Sequence, residues 1–220
     1  MVDILLATHN SEKYLAELLD SLVGQTYKDI RIIVSDDAST DGTPAILRKY
    51  AKNNRYFTIL ENEMPLGGAK PNFFWLMGHS TGEYILFADY DDVCQFDKVA
   101  DTLKIMQEAE AKYGKNMPVL AHTDLEVVDE ELNTIAPSMM RSQRLSKTFV
   151  ELNRLLVQNY VTGCSVMINR ALLDRVRFGS LGPIVMHDWW VALVASAFGK
   201  IVFLDKPTIK YRQHADNQIG

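Results

Sequence analysis

Tyr84-Ile85-Leu86-Phe87-Ala88-Asp89-Tyr90-Asp91-Asp92 decides the fold class, because an unbroken apolar run leads directly into three carboxylates. A strand with one wet face alternates apolar and polar residues. A strand that is apolar throughout is covered on both faces, as in a parallel sheet between layers of helices. Its acids then fall at the carboxyl edge of the sheet, where open α/β folds hold their ligands.

The same rhythm extends outward. Residues 4–8, 30–35 and 57–61 read as further strands, and 119–128 as another with a hairpin to Thr134. Between them, Tyr14, Leu15, Leu18, Leu19 and Leu22 fall at helical spacing, started by the capping chemistry of Asn10-Ser11-Glu12 and stopped by Gly24. A turn at Thr40-Asp41-Gly42 precedes a helix over 44–52. Phe73, Phe74, Leu76 and Met77 mark a short buried helix after a loop over 62–71, and a longer helix is expected over about 96–113. The second half is less regular. It offers a basic, mobile excursion over 138–148, a strand over 161–169 interrupted by Gly163, an apolar helix over 188–198 stopped by Gly199, and strands over 201–204 and 208–211 that close the sheet. Without an internal repeat or linker, the expectation is one α/β domain over residues 1–220, a three-layer α/β/α sandwich with a mainly parallel central sheet.

With 220 residues, 47% hydrophobic and 23% charged, the chain can bury a sizeable core, and disorder is excluded for most of it. Lys plus Arg number 23 against 28 Asp plus Glu, a formal charge of −5, so nothing global draws it to nucleic acid or anionic lipid. Cys94 and Cys164 are too few for a disulfide framework or a four-thiolate zinc site and read as reduced thiols. Met1-Val2-Asp3-Ile4-Leu5-Leu6-Ala7 lacks a basic region, its apolar run is too short for a signal peptide, and no run reaches the length of a membrane span. The expected location is the cytoplasm, with peripheral contact at the inner face of the plasma membrane left open. The abrupt stop behind Gln218-Ile219-Gly220 fits a C-terminally truncated piece.

Residues two apart on an extended segment project the same way, so Asp89 and Asp91 are placed to converge on a hard cation. An isolated acidic turn more often caps a helix or faces water; delivery by a buried strand to the ligand edge favours function. At strand two, Thr40 to Gly42 belong to a turn, but Asp36 and Asp37 exceed what a turn requires and can accept a pyrimidine ring N–H or ribose hydroxyls. No phosphate loop ending in Gly-Lys-Ser/Thr is present, and Thr8-His9-Asn10 stands where dinucleotide glycines would follow strand one, so ATP-driven and dinucleotide redox chemistry fall away. His79 and His122 read as surface or packing residues, and His9 as a nucleotide contact or a strand-end residue. Of Trp189 and Trp190, one is expected in the core and one against a sugar ring; Arg212 is open between a phosphate and a surplus acid.

Ala7-Thr8-His9-Asn10-Ser11, Val34-Ser35-Asp36-Asp37-Ala38-Ser39-Thr40-Asp41-Gly42-Thr43, Phe87-Ala88-Asp89-Tyr90-Asp91-Asp92-Val93 and His187-Asp188-Trp189-Trp190 together resemble an inverting family 2 glycosyltransferase of the GT-A fold. Tyr211-Arg212-Gln213-His214-Ala215-Asp216-Asn217-Gln218 is similar to the rhamnosyltransferase-like branch that builds bacterial cell-surface polysaccharide. The resemblance implies a Rossmann-like half over about 1–115 that binds the nucleotide sugar and an acceptor-side half over about 116–220. It implies that Thr8, Asn10, Asp36 and Asp37 line the nucleoside pocket and that Asp89-Tyr90-Asp91 is the Asp-x-Asp motif. By the same likeness Asp91 and His214 hold Mn²⁺ or Mg²⁺, Thr162-Gly163-Cys164 is the acceptor loop, and Asp188 is the catalytic base. The chain departs from the family at His187, where an acid commonly precedes the aspartate, and at Tyr90 and Cys94, where Gln and Trp are common.

The implied reaction moves rhamnose or another hexose from a dTDP- or UDP-sugar to a saccharide or lipid-linked saccharide in cell-envelope polysaccharide synthesis. The residue types suit it. A cation held by carboxylates neutralises the leaving diphosphate, a carboxylate takes the acceptor's proton, and one displacement inverts the anomeric centre. Two rival readings stand: a sugar nucleotidyltransferase, which wants a basic Gly-rich stretch after strand one that is absent here, and a catalytically inactive saccharide-binding module. A phosphoacceptor receiver domain would need its acidic pair after strand one.

Overall fold

The computed structural model describes residues 1–60, 62, 64–145, 150–176 and 185–215. Strands β1 (Val2–Thr8), β2 (Ile30–Asp36), β3 (Phe57–Leu60) and β4 (Tyr84–Asp89) pair in parallel in the order β3-β2-β1-β4. Helices α1 (Leu15–Val23), α2 (Thr43–Asn53) and α3 (Ala69–His79) connect them. Period-two geometry divides each all-apolar strand between two cores. Ile4, Leu6 and Leu86 pack with Leu15, Leu18 and Leu22 of α1 on one face; Leu5, Ile85 and Phe87 pack with Phe73 and Leu76 of α3 on the other. Each such aliphatic side chain contributes about 1.5–3 kcal/mol on burial.

The sheet continues through β5 (Val93–Cys94), β6 (Val119–Val128), β7 (Thr134–Ala136), β8 (Val166–Asn169) and β9 (Lys200–Arg212), in the order β4-β8-β6-β9-β5 with β7 on β6. Here β8 runs antiparallel to both neighbours, while β9 is parallel to β6. The mainly parallel expectation therefore holds for the first four strands and the β6–β9 pair, and the second half is mixed. Helix α4 (Lys98–Tyr113) covers the first core, and short α5 (Met139–Ser142), α6 (Leu152–Leu155) and α7 (Arg170–Leu173) precede α8 (His187–Phe198), which covers the second core with α7. Two helical layers thus enclose the sheet, as expected.

Several local expectations change. Tyr14, not Asn10-Ser11-Glu12, takes the cap position of α1; the Ser11 carbonyl accepts from the Leu15 amide, and the Glu12 carboxylate accepts from the Gly42 amide at 2.5 Å. The strand expected over 161–169 is shortened by a 3-10 turn, Gly163–Ser165. The two closing strands are one, because a register shift opposite Asp124 lets β9 pass Pro207, which has no amide to donate. The basic excursion begins anchored: Asp124 accepts from the Ser138 hydroxyl at 2.5 Å and the Met140 amide at 3.1 Å. Residues 146–149 of that excursion, Glu61 of the third strand and 216–218 of the closing motif lie outside the described residues.

Candidate active site

The carboxyl ends of β1 and β2 lie side by side, with Thr8 opposite Asp36. Asp36 Oδ1 accepts from the Thr8 and Ser39 hydroxyls, each at 2.7 Å, and Oδ2 accepts from the Ser39 amide at 3.1 Å. The Asn10 amide donates to Ser39 Oγ at 2.8 Å, and Asn10 Oδ1 accepts from the Thr40 amide at 2.9 Å. Asn10 and Ala38 have φ of 47° and 56°. Asn tolerates this left-handed region, but Ala is held there at a cost of roughly 1–2 kcal/mol, which the bonds of Asp36 and Asn10 offset. Asp37 is turned under the neighbouring loop, where its carboxylate accepts from the Leu66, Gly67 and Gly68 amides. Burial alone would raise its pKa; the amides of Gly68, Leu66 and Gly67 with the Asn72 side chain hold it below the usual carboxylate range. The His9 ring bonds the Asp37 carbonyl at 2.7 Å.

After β4 the chain turns at once, the Asp92 amide donating to the Asp89 carbonyl at 3.4 Å. The turn replaces extended spacing and sorts the acids into two sets. Asp89, Asp92 and the Cys164 thiol present ligand atoms within 4.8 Å of one another, whereas Asp91 Oδ2 faces His214 Nε2 at 2.9 Å. Burial, then Asp91, then Asp188 push the Asp89 carboxyl up to about 7; burial with Asp91 and Asp89 also raises Asp92. Tyr90, half-buried, packs against the first core. Lys98, in the first turn of α4, is completely buried and donates from Nζ to the Cys164 carbonyl at 2.7 Å, and its charge opposes the rise at Asp89.

β9 closes this side. The Arg212 amide donates to Asp92 Oδ1 at 3.1 Å and its Nε to the Asp91 carbonyl at 2.8 Å, while the guanidinium also bonds the Glu130 carbonyl and the Glu17 carboxylate. It lies 4.4 Å from the Tyr14 ring centroid. Arg212 is thus a buried strut between the acidic turn, α1 and the β6–β7 hairpin.

In the second half of the chain, Asp188 sits in the first turn of α8, one residue inside His187, with Met186 at the cap. Its Oδ1 accepts from the Trp189 amide at 2.7 Å and its Oδ2 from Asn159 Nδ2 at 3.2 Å. Burial pushes its carboxyl up to about 6, against the lowering effect of the Trp189 and Gly163 amides and Asn159. A buried carboxylate poised near neutrality is suited to accept a proton. His187 stacks on Phe73 with ring centroids 3.9 Å apart; burial pushes its pKa down to about 3, so the imidazole is neutral, and neither ring nitrogen has a hydrogen-bond partner. A Cβ at Gly163 would stand 3.2 Å from His187 Nε2 and 3.4 Å from Asp188 Cβ, so glycine lets the 3-10 turn approach α8. Trp189 Nε1 donates to the Leu155 carbonyl at 2.5 Å, and Trp190 packs on the second core. His122 is buried against Phe203, and His79 lies exposed on Trp75, both outside the site.

Sequence reading did not single out Lys98 or Asn159. Lys98 had a signal: with Val99, Thr102, Leu103 and Met106 it occupies the buried stripe of α4. Asn159 lies in irregular chain between α6 and the 3-10 turn and carried none.

Residues 3–177 match the family model described as glycosyl transferase family 2. Among curated proteins, the chain is 29% identical over 227 residues to the dTDP-rhamnosyl transferase RfbG of Shigella flexneri, covering 98% of this chain and 73% of that protein. It is 25% identical over 215 residues to an uncharacterized glycosyltransferase of Rickettsia typhi, covering 97% and 64%. Among solved structures, S. aureus TarS 1-349 in complex with UDP-GlcNAc superposes with a TM-score of 0.74 at 21% identity, over 98% of this chain and 59% of that one. The mannosyltransferase PcManGT from Pyrobaculum calidifontis, in complex with GDP-Man and Mn²⁺, superposes at 0.68 with 20% identity, over 100% and 58%. The chain therefore spans less than two thirds of the Rickettsia relative and of both solved chains. At these identities the structural likeness speaks to the fold, which is GT-A. Because the family match runs across most of its length, the chain belongs to glycosyl transferase family 2.

Proposed function

We propose that this chain carries the active site of an inverting, metal-dependent glycosyltransferase that moves a sugar from a nucleoside diphosphate to a saccharide or lipid-linked saccharide in the cytoplasm, for cell-envelope polysaccharide. The observation that carries this reading is that carboxylates from opposite halves of the chain meet at one 3-10 turn, where Gly163 packs against Asp188 of α8 and the neighbouring Cys164 thiol lies within 4.8 Å of the Asp89 carboxylate of β4. Among the described residues no helix is long and apolar enough to cross a membrane.

Thr8, Asn10 and Asp36 form the donor's nucleoside edge, with Asp37 holding the 66–68 loop beside it. Rhamnose from a thymidine diphosphate is the working donor, supported by the Shigella relative's name; uracil and thymine share the ring N–H that Asp36 would accept, so a uridine diphosphate donor fits the same edge. The residues fit a hard divalent cation, since Asp91 Oδ2 and His214 Nε2 already lie 2.9 Å apart and offer the oxygen and nitrogen donors that Mn²⁺ or Mg²⁺ accepts. When bound, such a cation neutralises charge on the leaving diphosphate. Asp188 takes the proton of the attacking hydroxyl, while Asn159 and the Trp189 amide fix its two oxygens. Neutral His187 adds no competing charge beneath it.

A thermal-shift panel of nucleoside diphosphates and their sugars, with and without Mn²⁺, tests the reading. A ligand at about 100 times its Kd adds about 2.7 kcal/mol, an easily read shift. No shift with any nucleotide overturns the proposal. Metal-dependent binding without hydrolysis or transfer would leave a saccharide-binding module.

A further inference from the structure

We infer that His187 is a positioning residue for the carboxylate beside it: its ring is the spacer between Phe73 of α3 and Gly163 of the 3-10 turn, and it sets how closely the Gly163 amide approaches Asp188. The packing is independent of the reaction. Its bearing on transfer rests on the proposed function.

The ring is enclosed on three sides. It stacks on Phe73 with centroids 3.9 Å apart and planes 22° from parallel, and it meets Phe87 of β4 edge-on at 5.2 Å. The third side is its Nε2–Cε1 edge, whose atoms would lie 3.2 and 3.5 Å from a Cβ at Gly163. Phe73 and Phe87 are both part of the buried second core, so the slot has a fixed floor and the turn is the wall that can yield. Gly163 is not one of the glycines with positive φ, which are Gly67, Gly68 and Gly114. Glycine is needed at 163 for space, not for an unusual backbone.

Packing alone does not call for an imidazole. His187 is 3% exposed, and both ring nitrogens are sealed without a partner. Polar atoms left so are costly, and an aliphatic side chain would fill the slot without that cost. The imidazole supplies a flat ring that stacks on Phe73 and turns a thin edge to Gly163. It is also uncharged, because burial pushes its pKa down to about 3.

The turn it supports carries a donor to Asp188. Burial raises the Asp188 carboxyl, and the Trp189 amide, the Gly163 amide and the Asn159 side chain act against that rise. Asp89 of β4 is the charged group that faces Asp188 across the site. On the far side of the same turn, Lys98 Nζ ties down the Cys164 carbonyl at 2.7 Å. With Lys98 behind it and His187 in front, the Gly163 amide is held at one distance from the carboxylate.

The test follows the ionisation of Asp188 through the ¹³C resonance of its carboxyl in the nucleotide-free, metal-free chain. In His187→Leu a branched end thicker than the ring edge pushes the turn back. The carboxyl should then hold its proton roughly 5-fold more tightly, the worth of one amide hydrogen bond. Gly163→Ala should act in the same direction, but only while the ring is present; in a His187→Ala background it should leave the titration unmoved. A His187→Leu carboxyl that titrates with the parent's, or a Gly163→Ala effect equal in both backgrounds, overturns the inference. Where His187→Ala does not fold, the Leu variant decides alone. Turnover of dTDP-rhamnose separates this inference from the proposed function. With Asp188 as base, His187→Leu should lower kcat by ~10–100-fold and leave Mn²⁺-dependent nucleoside diphosphate binding unchanged; parental kcat in the folded variant overturns the inference. A titration shifted as expected in a chain whose parent turns over no nucleotide sugar supports the positioning and removes the proposed function instead.

Discussion

His214 Nε2 lies 2.9 Å from Asp91 Oδ2 across 123 residues of sequence, with both side chains largely shielded from solvent. Under the proposed function, this carboxylate and imidazole would supply two of the ligands of a divalent cation. Asp91→Ala is expected to abolish the Mn²⁺-dependent part of nucleoside diphosphate binding in a folded protein, measured by calorimetry with and without the ion. His214→Ala should weaken it less, because water can take one vacated coordination position. Unchanged affinity in both variants would remove the pair from the donor site.

Asp188 tests the proposed base. Its carboxyl is raised to about 6 from 3.8, so the folded chain holds this proton more tightly than the unfolded chain does. Ionising Asp188 therefore opposes folding increasingly as pH climbs from about 4 to about 6, by about 3 kcal/mol at most. Asp188→Asn should equal or exceed the parent's Tm at about pH 8 and lose that advantage below about pH 4. Transfer should meanwhile fall by roughly 10²–10⁴-fold, and the parent's rate should lose its base on the acid side of about pH 6. A folded Asn variant with near-parental transfer places the base elsewhere.

The adjacent acids of β2 are expected to separate by role. Asp37→Ala strands the Leu66, Gly67 and Gly68 amides and should cost about 1–3 kcal/mol in urea unfolding. Because the folded pKa of Asp37 is depressed, its contribution is present at neutral pH and is lost as pH falls through that lowered value, so parent and variant should converge in acid. Asp36→Ala should instead weaken uridine diphosphate binding by about 1–3 kcal/mol, and Asp36→Asn by less, since an amide can still offer a carbonyl. Equal affinity of the parent for uridine and cytidine diphosphates would exclude the base contact.

Arg212→Met is expected to destabilise the fold by about 1–3 kcal/mol, because it leaves the Asp91 and Glu130 carbonyls without their buried donor and the exposed Glu17 carboxylate without its partner. Arg212→Lys should recover only part of this, since lysine lacks the fork that bonds Asp91, Glu130 and Glu17 together. Parental stability in Arg212→Met, read from the denaturation midpoint, would show that the strut is dispensable.

Much of this arrangement is legible in the chain. The all-apolar β4 and the polar residues ending β1, β2 and β4 follow from local pattern, since both depend on strand period and burial alone. Pairing of Asp89 with Asp92 was not legible, because it depends on where β4 stops, and one residue more of extended chain would have brought Asp89 and Asp91 to one side. Asp37 resembles Asp36 in sequence and differs only in the loop that descends on it. Lys98 is marked in sequence only by its place on the apolar stripe of α4, and Arg212 reaches Glu130 and Glu17 through contacts 82 and 195 residues away.

Those long contacts fix an order of events during synthesis. A chain leaving the ribosome can form β3-β2-β1-β4 once β4 has emerged, since those strands pair among themselves. It then carries Asp89, Asp91 and Asp92 on a turn that has neither its strut nor its histidine, because Arg212 and His214 are made more than a hundred residues later. Pairings of such sequence separation form slowly. The acids are thus made well before their partners, and docking of β9 is the step that brings Arg212 and His214 to them.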